Sequence, residues 1–391
     1  MTFVFNDRQS SFTIENMPVW TGMKTSPGVD HTHDFIMAAP QTGPIIQIMD
    51  DDFSSEVIDR YSHDTYAFIT NPPGLSEWSI SMAENKMANL AQWIGSKKPN
   101  SVLEIGGGNT WFGEVFCDRY NPANYTCIDP TIQHKSIDKR IEIFRDYFPS
   151  PKLGLQQFDL ILAYSVLEPV PDPAVLLKGI RNYLSKNGMA VICVPDCQRQ
   201  LITGDINGLI HEHITYFTAE TLKQELDRAG LDIIEISSKN DLFSVLVQKK
   251  PPVLETLHLI NDKEHFDRAA KSYGYLFNDF AHHIRSLMKS GTKIAFHGAT
   301  QGLNTFIHVT GIGQFSFDLY DSDQTKAGKF LPAYSKPVKH VTETDYATHD
   351  ILIISAMSFF GAIETQALKA GYRSEQLLPM TVDHLQKDLI S

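Results

Sequence analysis

The sequence predicts an α/β fold, with a small N-terminal lobe before a mostly parallel sheet and a second α/β unit after it. Apolar runs alternate with helical segments after Ser101, and the same alternation begins again at Lys293. Strands that alternate with helices in this way build doubly wound sheets. At 391 residues, the chain is long enough for two or three domains. We therefore expect a lobe, a first α/β domain and a Rossmann-like C-terminal domain, with the boundaries 1–85, 86–250 and 251–391.

The composition excludes several classes of protein. The net charge is −12, and no cluster of Lys and Arg stands out, which argues against a nucleic-acid partner. No run of about 18 apolar residues offers a membrane span. The segment Met1–Arg8 lacks the basic and then apolar pattern of a signal peptide. We expect a cytoplasmic protein without a membrane partner, and the sequence leaves its oligomeric state open.

The cysteines predict no disulfide framework and no zinc tetrad. All four lie in the middle third of the chain, at Cys117, Cys127, Cys193 and Cys197. Two of them fall inside apolar strand patterns, where a thiol usually acts as a small hydrophobic side chain. We therefore predict no metal site.

The N-terminal lobe is expected to be irregular or rich in β-strands. It mixes Pro, Gly, Met and His with short apolar runs. His31 and His33, with acids beside them, suggest a metal, although alternating histidines in a polar loop are more often only solvated. After Pro72-Pro73-Gly74, the apolar periodicity predicts an amphipathic helix. Its apolar residues are Met82, Met87, Leu90, Ala91 and Ile94.

The most informative stretch is an apolar run that ends in an acid and breaks into three glycines. It comprises Glu104, Gly106, Gly107 and Gly108, and it predicts a buried strand, a tight loop and a helix. Glycines let the backbone approach a ligand closely, and the N–H groups of the following helix make such a corner polar. The next predicted strand ends in Asp129, about 20 residues later, where an α/β nucleotide site places its ribose-binding carboxylate. The alternative is a glycine-rich turn without a ligand.

This pattern is not the G-x-G-x-x-G of dinucleotide enzymes, because an acid precedes the first glycine. It resembles the first motif of the class I methyltransferases that use S-adenosyl-L-methionine (SAM). The resemblance implies SAM as the cofactor, with Glu104, the three glycines and Asp129 as binding residues. Ser165, at the end of a later strand, is placed with them as a cofactor-binding candidate.

That later strand is predicted over Phe158–Leu167, and the helix after it is expected to reach Leu184 and to be closed by Asn187-Gly188. Another apolar strand follows over Met189–Pro195. The segment Leu209–Thr218 comes next and contains His211, Glu212, His213 and Tyr216. Because loops at the carboxyl ends of the strands face the ligand in α/β sheets, we expect these residues to lie over the methyl group of the cofactor.

A polar helical connection is predicted over Lys263–Lys289, followed by the second α/β unit. In that unit, Gly298 and Gly302 open a strand-to-helix turn. Two interpretations remain open at this point, because such a turn either holds a phosphate or only packs closely.

The order of these segments resembles the sugar C-methyltransferases of deoxysugar biosynthesis, from about Tyr66 to Gln386. The glycine motif, the stretch His211–Phe217 and the C-terminal stretches Gly298–Gly311 and Leu319–Pro332 carry this resemblance. It implies that His213 removes a proton beside the ketone of a nucleotide-linked 4-keto sugar, and that the resulting enolate receives the methyl group. The chain differs from the family in having no cysteine before Cys117, so the four-cysteine zinc site of that family is not expected here. Ile210 and Pro169 stand where the family has a tyrosine and a histidine.

Methylation of carbon requires a base and stabilisation of an enolate. An imidazole suits the first task because its ordinary pKa lies near neutral pH. His213 is the candidate base, Glu212 contributes charge, Tyr216 and Tyr66 are candidate hydrogen-bond donors, and His211 is a less certain candidate. Two alternatives remain: an O- or N-methyltransferase of a nucleotide sugar, and a non-catalytic protein that binds SAM or a sugar nucleotide.

Overall fold

A computed structural model describes residues 3–6, 10–60, 77–95, 97–132, 138–239, 242–251 and 260–382. The strands in chain order are β1 (Phe3–Asn6), β2 (Ser11–Pro18), β3 (Thr32–Ala38), β4 (Ile45–Ile48), β5 (Ser101–Ile105), β6 (Asn124–Ile128), β7 (Ile141–Phe144), β8 (Phe158–Tyr164), β9 (Leu184–Pro195), β10 (Thr215–Tyr216), β11 (Leu231–Lys239), β12 (Leu242–Lys249), β13 (Ile294–His297), β14 (Asp318–Asp321), β15 (Lys339–His340), β16 (Ile351–Ile354) and β17 (Leu377–Pro379). The helices are α1 (Asp51–Arg60), α2 (Glu77–Ile94), α3 (Trp111–Tyr120), α4 (Pro173–Tyr183), α5 (Cys197–Thr203), α6 (Ala219–Arg228), α7 (Lys263–Tyr275), α8 (Ala281–Lys289), α9 (Gln301–Thr310) and α10 (Phe360–Ala370).

The central sheet has seven strands in the order β11-β12-β9-β8-β5-β6-β7. The strands from β9 to β7 are parallel, and β12 is antiparallel to both of its neighbours. The chain order reverses between β5 and β8, so the loops after these two strands flank a crevice. Ligands of open α/β sheets bind in such a crevice. This sheet confirms the predicted class I methyltransferase fold.

One predicted boundary in this sheet is wrong. Asn187 and Gly188 do not close a helix, because α4 ends at Tyr183, the backbone of the next residue Leu184 is already extended, and both residues lie inside β9. A Cβ on Gly188 would lie 2.6 Å from the carbonyl oxygen of Phe158 on the neighbouring strand. The glycine therefore permits close approach of two strands, and it is not a helix stop signal.

The C-terminal sheet has five parallel strands in the order β15-β14-β13-β16-β17. Its order reverses between β13 and β16, so it repeats the arrangement of the central sheet on a smaller scale. The second Rossmann-like unit is confirmed. Strands β13, β14 and β16 were predicted, and the short strands β15 and β17 were not.

The N-terminal lobe is an antiparallel sheet in the order β1-β2-β3-β4-β10, which confirms that it is rich in β-strands. Its last strand, β10, comes from the histidine segment and pairs Thr215 and Tyr216 with Ile46 and Ile45 of β4. The lobe therefore shares a sheet with the loop that carries His213.

The helical connection Lys263–Lys289 forms as predicted, with a π-helical turn over Leu276–Phe280 between α7 and α8. The connection is polar on average, as predicted, but it also has an apolar face. Phe266, Tyr273 and Phe280 are buried in a core that also contains Phe12 of the lobe. The connection therefore packs the lobe and the C-terminal unit together.

Within the described residues, none of the helices has both the length and the apolar character that a membrane span requires. His33 and His31 pair with Asp50 and Glu56, at 3.0 Å and 3.1 Å. Across all the residues that the structure describes, no three side chains of His, Cys, Asp or Glu form a group able to hold a metal ion.

Candidate active site

A cavity of about 910 Å³ lies where the two parallel sheets and the histidine segment meet. The loops after β5, β6 and β8 contribute one wall, and the segment with Glu212 and His213 contributes another. The N-terminus of α9 and the loop after β16 line the opposite side. One cavity therefore contacts the reversal points of both sheets.

The glycine corner after β5 needs glycine for two different reasons. Gly106 and Gly108 have φ angles of +71° and +65°, a backbone region that favours glycine. At Gly107 the reason is space, because a Cβ there would lie 2.6 Å from Sγ of Cys127 and 3.1 Å from Cδ of Glu104. All three glycines line the cavity, so a ligand at this corner meets residues without side chains.

Asp129 follows β6 and is 5% exposed. Its Oδ2 accepts a hydrogen bond from the backbone N–H of Gly108 at 2.8 Å, and its Oδ1 accepts two from Thr131, both at 2.6 Å. A carboxylate has about four acceptor positions, so among the described residues Oδ2 keeps one for a hydroxyl group.

Glu104 is buried under the glycine corner, where its Oε2 accepts a hydrogen bond from the hydroxyl of Tyr125 at 2.9 Å. Burial raises the pKa of Glu104 to about 7. The carboxyl is therefore ready to lose its proton when a cationic group binds beside it.

Ser165 follows β8 directly and has a φ of +56°. Its N–H donates to the carbonyl of Cys193 at 2.9 Å, and this contact holds the turn. A positive φ in a residue other than glycine costs about 1–3 kcal/mol and persists only where the surrounding structure holds it. Ser165 lines the cavity, and its role in cofactor binding stays a prediction.

His213 lines the cavity on a loop that is fixed on both sides. The carbonyl of Glu168 accepts hydrogen bonds from Ile214 and Thr215 at 2.9 Å and 3.0 Å, and the N–H of Gln47 donates to the carbonyl of Ile214 at 2.8 Å. Burial lowers the pKa of His213 to about 4, so its imidazole is neutral near pH 7. A neutral imidazole in a cavity is able to accept a proton.

Glu212 is also buried and lines the cavity. Its Oε1 lies 3.5 Å from Nη1 of Arg60, and its Oε2 has no hydrogen-bond partner in the described chain. Burial raises the pKa of Glu212, and Arg60 opposes that shift.

Two of the predicted catalytic residues, His211 and Tyr216, do not line the cavity. His211 packs edge-on against Phe35 and Phe53 in the lobe, and its Nε2 lies 3.3 Å from the carbonyl oxygen of His33. Tyr216 donates its hydroxyl to the carbonyl of Ile210 at 3.4 Å. Neither belongs to the cavity lining, because the pairing of β10 with β4 turns them into the core of the lobe. Tyr66, the remaining candidate, lies outside the described residues.

The C-terminal unit repeats the geometry of the glycine corner. After β13, the N–H of Ala299 donates to Oδ2 of Asp321 at 2.8 Å, as Gly108 does to Asp129. Nζ of Lys326 also lies 2.8 Å from Oδ2 of Asp321. Ala299, Lys326 and Thr300, the N-cap of α9, line the cavity.

The two glycines of this turn have different roles. Gly298 has a φ of +112°, which favours glycine. A Cβ on Gly302 would lie 2.6 Å from Oδ1 of Asn207. Gly302 is thus explained by close packing of α9 against the loop that follows α5.

Comparison with known protein families finds two matches. Residues 81–236 match the model of a methyltransferase domain, and residues 254–377 match that of a C-methyltransferase C-terminal domain. This chain is a SAM-dependent methyltransferase with a C-methyltransferase C-terminal domain. No curated protein matches the chain.

Solved structures similar to this methyltransferase are distant. A chain in the complex of the Haloferax volcanii Trm112 activator with a methyltransferase is 12% identical, with a TM-score of 0.38 over 52% of this chain and 100% of that one. A SAM-dependent methyltransferase from Listeria monocytogenes is 8% identical, with a TM-score of 0.36 over 44% and 100%. The PH0226 protein from Pyrococcus horikoshii is 12% identical, with a TM-score of 0.39 over 47% and 97%. Similarity at this level establishes nothing about the substrate.

The cavity of the methyltransferase fits the chemistry of SAM. Gly106, Gly107 and Gly108 line the cavity, Oδ2 of Asp129 can accept from a ribose hydroxyl, and Glu104 can pair with the ammonium group. These residues come from the loops and strand ends at the reversal point of the central sheet.

Sequence reasoning missed two charged residues that line this cavity. Glu168, in the loop after β8, is 2% exposed, and Lys86 of α2 is 6% exposed. Both line the cavity. The only available signal was a single acid after a strand and a single lysine in an apolar helix, and neither forms a motif.

Proposed function

We propose that this methyltransferase transfers a methyl group to a carbon atom of a nucleotide-linked 4-keto sugar, with His213 as the general base. The observation that carries the proposal is the cavity itself, because it joins the cofactor corner, the neutral imidazole of His213 and the N-terminus of α9. The match of residues 254–377 to a C-methyltransferase C-terminal domain supports carbon as the acceptor.

His213 is proposed to remove the proton beside the ketone. Its low pKa keeps the imidazole ready to accept a proton, and it also means that the imidazolium needs negative charge nearby. The adjacent, buried Glu212 can supply that charge. His213 would thus hold the proton while the substrate carries the enolate.

SAM, when bound, supplies an electrophilic methyl group. The glycine corner, Asp129 and Ser165 are proposed to bind it and orient it towards the acceptor. Glu104, Glu168 and Glu212 of the cavity lining are buried, and electrostatic interactions in such a site are stronger than in water. Tyr66 remains a candidate for the hydrogen bond to the enolate oxygen.

The C-terminal unit is proposed to hold the nucleotide of the substrate. Lys326 and the N-terminus of α9 both favour negative charge. Asp321 stands in this unit where Asp129 stands in the first, and its contacts position Ala299 and Lys326, which line the cavity. The substrate would then span the cavity with its sugar near His213.

Product analysis tests the proposal. The protein is incubated with SAM and a panel of nucleotide-linked 4-keto sugars, and the products are analysed by mass spectrometry and NMR. We expect a mass gain of one methyl group, placed on the carbon beside the ketone. A methyl group on oxygen or nitrogen would contradict carbon transfer and would favour the alternative methyltransferase reaction.

A further inference from the structure

The carboxyl group of Glu168 occupies an unusual position in the cavity. It is 2% exposed, and its Oε2 has no hydrogen-bond partner among the described residues. The backbone of the same residue is firmly held, because its carbonyl accepts from Ile214 and Thr215. Backbone groups of Leu167 and Glu168 and the charge of Lys86 favour the ionised carboxyl. Leaving Oε2 buried without a partner is still costly unless a ligand group completes its contacts.

Glu168 is linked both to the cofactor corner and to the loop of His213. Lys86 interacts electrostatically with both Glu104 and Glu168. The loop of His213 is anchored on the backbone carbonyl of Glu168. Glu104, Lys86, Glu168 and His213 all line the same cavity.

SAM carries three charges along its reactive end: an ammonium, a carboxylate and a sulfonium. Glu104 and Lys86 have the charges that complement the first two. The sulfonium lies next along the molecule, towards the methyl acceptor. We infer that Glu168 recognises the positive charge on the sulfur of SAM, and so distinguishes SAM from its product S-adenosylhomocysteine (SAH), whose sulfur is neutral.

The charged and titratable groups around Glu168 are consistent with this role. Lys86 of α2 interacts with it electrostatically, as does Cys193 of β9. Glu104, Glu212 and His213 line the same cavity. Burial raises the pKa of Glu168 to about 7. A sulfonium beside it would favour the ionised form, whereas a neutral thioether would not.

The inference rests on the cofactor alone and holds whichever atom of whichever acceptor is methylated. It predicts that the charge lost from sulfur during methyl transfer also removes one interaction with the protein. Glu168 would therefore contribute to binding of the donor and much less to binding of the product.

The test compares Glu168→Gln with the wild type by calorimetry, using SAM and SAH as ligands. The amide keeps the shape and removes the charge. Since charged interactions of this kind contribute about 10-fold to 100-fold in affinity, we expect the Kd of SAM to rise by roughly 10-fold or more. The Kd of SAH should change by less than about threefold. Because both ligands are measured on one variant, a general loss of folding would affect them equally.

Two further variants sharpen the result. Glu168→Asp keeps the charge and should restore part of the preference for SAM. Glu225→Gln removes another buried carboxyl, one that pairs with Arg228 and does not line the cavity, and should leave both affinities unchanged. If Glu168→Gln weakens SAM and SAH by the same factor, or weakens neither, Glu168 does not recognise the sulfonium and the inference is wrong.

Discussion

Oδ2 of Asp129 accepts a hydrogen bond from the backbone N–H of Gly108 at 2.8 Å. This contact joins the end of β6 to the glycine corner after β5, so the carboxylate proposed to bind ribose and the loop proposed to lie beside the methionine end are positioned together. The same relationship recurs in the C-terminal unit between Asp321 and Ala299, also at 2.8 Å. The chain thus contains two strand ends with the same hydrogen bond between a backbone N–H and a carboxylate. Substitutions of Asp129 and Asp321 can therefore serve as controls for each other.

We predict that Asp129→Ala weakens SAM binding by roughly 10-fold to 100-fold, because it removes a charged acceptor for a ribose hydroxyl and releases the glycine corner. Calorimetry with SAM measures the effect. Asp321→Ala removes the corresponding carboxylate of the other corner and should leave SAM affinity unchanged. Equal affinity for SAM in wild type and Asp129→Ala would mean that the cofactor binds elsewhere.

Much of this site could be predicted because strong local patterns carry it. Buried apolar runs and glycines locate β5, and the spacing to Asp129 locates the carboxylate. The position of His213 in the cavity followed from the rule that loops at strand ends face the ligand.

Other features depend on tertiary contacts that leave little trace in the sequence. The two-residue strand β10 pairs with β4, more than a hundred residues away, and this pairing buries His211 and Tyr216. Glu168 is a single acid after a strand, and its burial and its place in the cavity lining become visible only in the folded chain.

The close approach at Gly107 gives a steric prediction. The backbone of Gly107 does not have a positive φ, so the penalty in Gly107→Ala comes from the contact of the new Cβ with Cys127 and Glu104. We expect a loss of about 1–3 kcal/mol in the free energy of unfolding, and weaker SAM binding, because overpacking forces the neighbours to move. Chemical denaturation measures the first effect and calorimetry the second.

Gly361→Ala is the matched control for this substitution. Gly361 lies in α10, and a Cβ there meets no atom within 4 Å. Alanine is favoured over glycine in helices by about 1 kcal/mol, so this variant should be as stable as the wild type or more stable. If Gly107→Ala behaves in the same way, the corner is looser than described.

The raised pKa values of Glu104 and Glu168, both about 7, predict how SAM affinity depends on pH. A cationic ligand binds the ionised carboxylates, so below pH 7 binding must release protons. Affinity should therefore rise with pH, by up to about tenfold per unit for each group, and level off once both carboxyls are ionised. Calorimetry between about pH 5.5 and 7.5 measures this change in affinity. In that range the α-amino group of SAM stays protonated, because its ordinary pKa is higher. Glu104→Gln should reduce the slope, and an affinity that is constant or falls with pH would contradict the assignment.

Lys326 gives a test of the proposed nucleotide site. Lys326→Met should weaken binding of a nucleoside diphosphate by roughly 10-fold or more, because a charged contact to phosphate is lost, while SAM affinity stays the same. Uridine and thymidine diphosphates serve as probes in calorimetry. Lys329→Met changes a nearby exposed lysine outside the cavity lining and should bind these probes like the wild type. If both variants bind equally well, the nucleotide does not contact Lys326.

The central claim is that His213 is the base of a carbon methylation. With SAH bound, no methyl group is available, and the wild type should still exchange the proton beside the ketone of its 4-keto sugar with deuterium from the solvent. His213→Asn keeps much of the shape and removes the basicity. It should therefore lose both exchange and methylation by roughly 10²–10⁴-fold while binding SAM normally.

Deuterium uptake in His213→Asn and His211→Asn, followed by NMR on the same substrate, tests this claim most directly. The account predicts that exchange disappears in His213→Asn and persists in His211→Asn, whose histidine packs in the lobe and does not line the cavity. Exchange and methylation at near wild-type rates in His213→Asn would contradict it and would favour an oxygen or nitrogen acceptor.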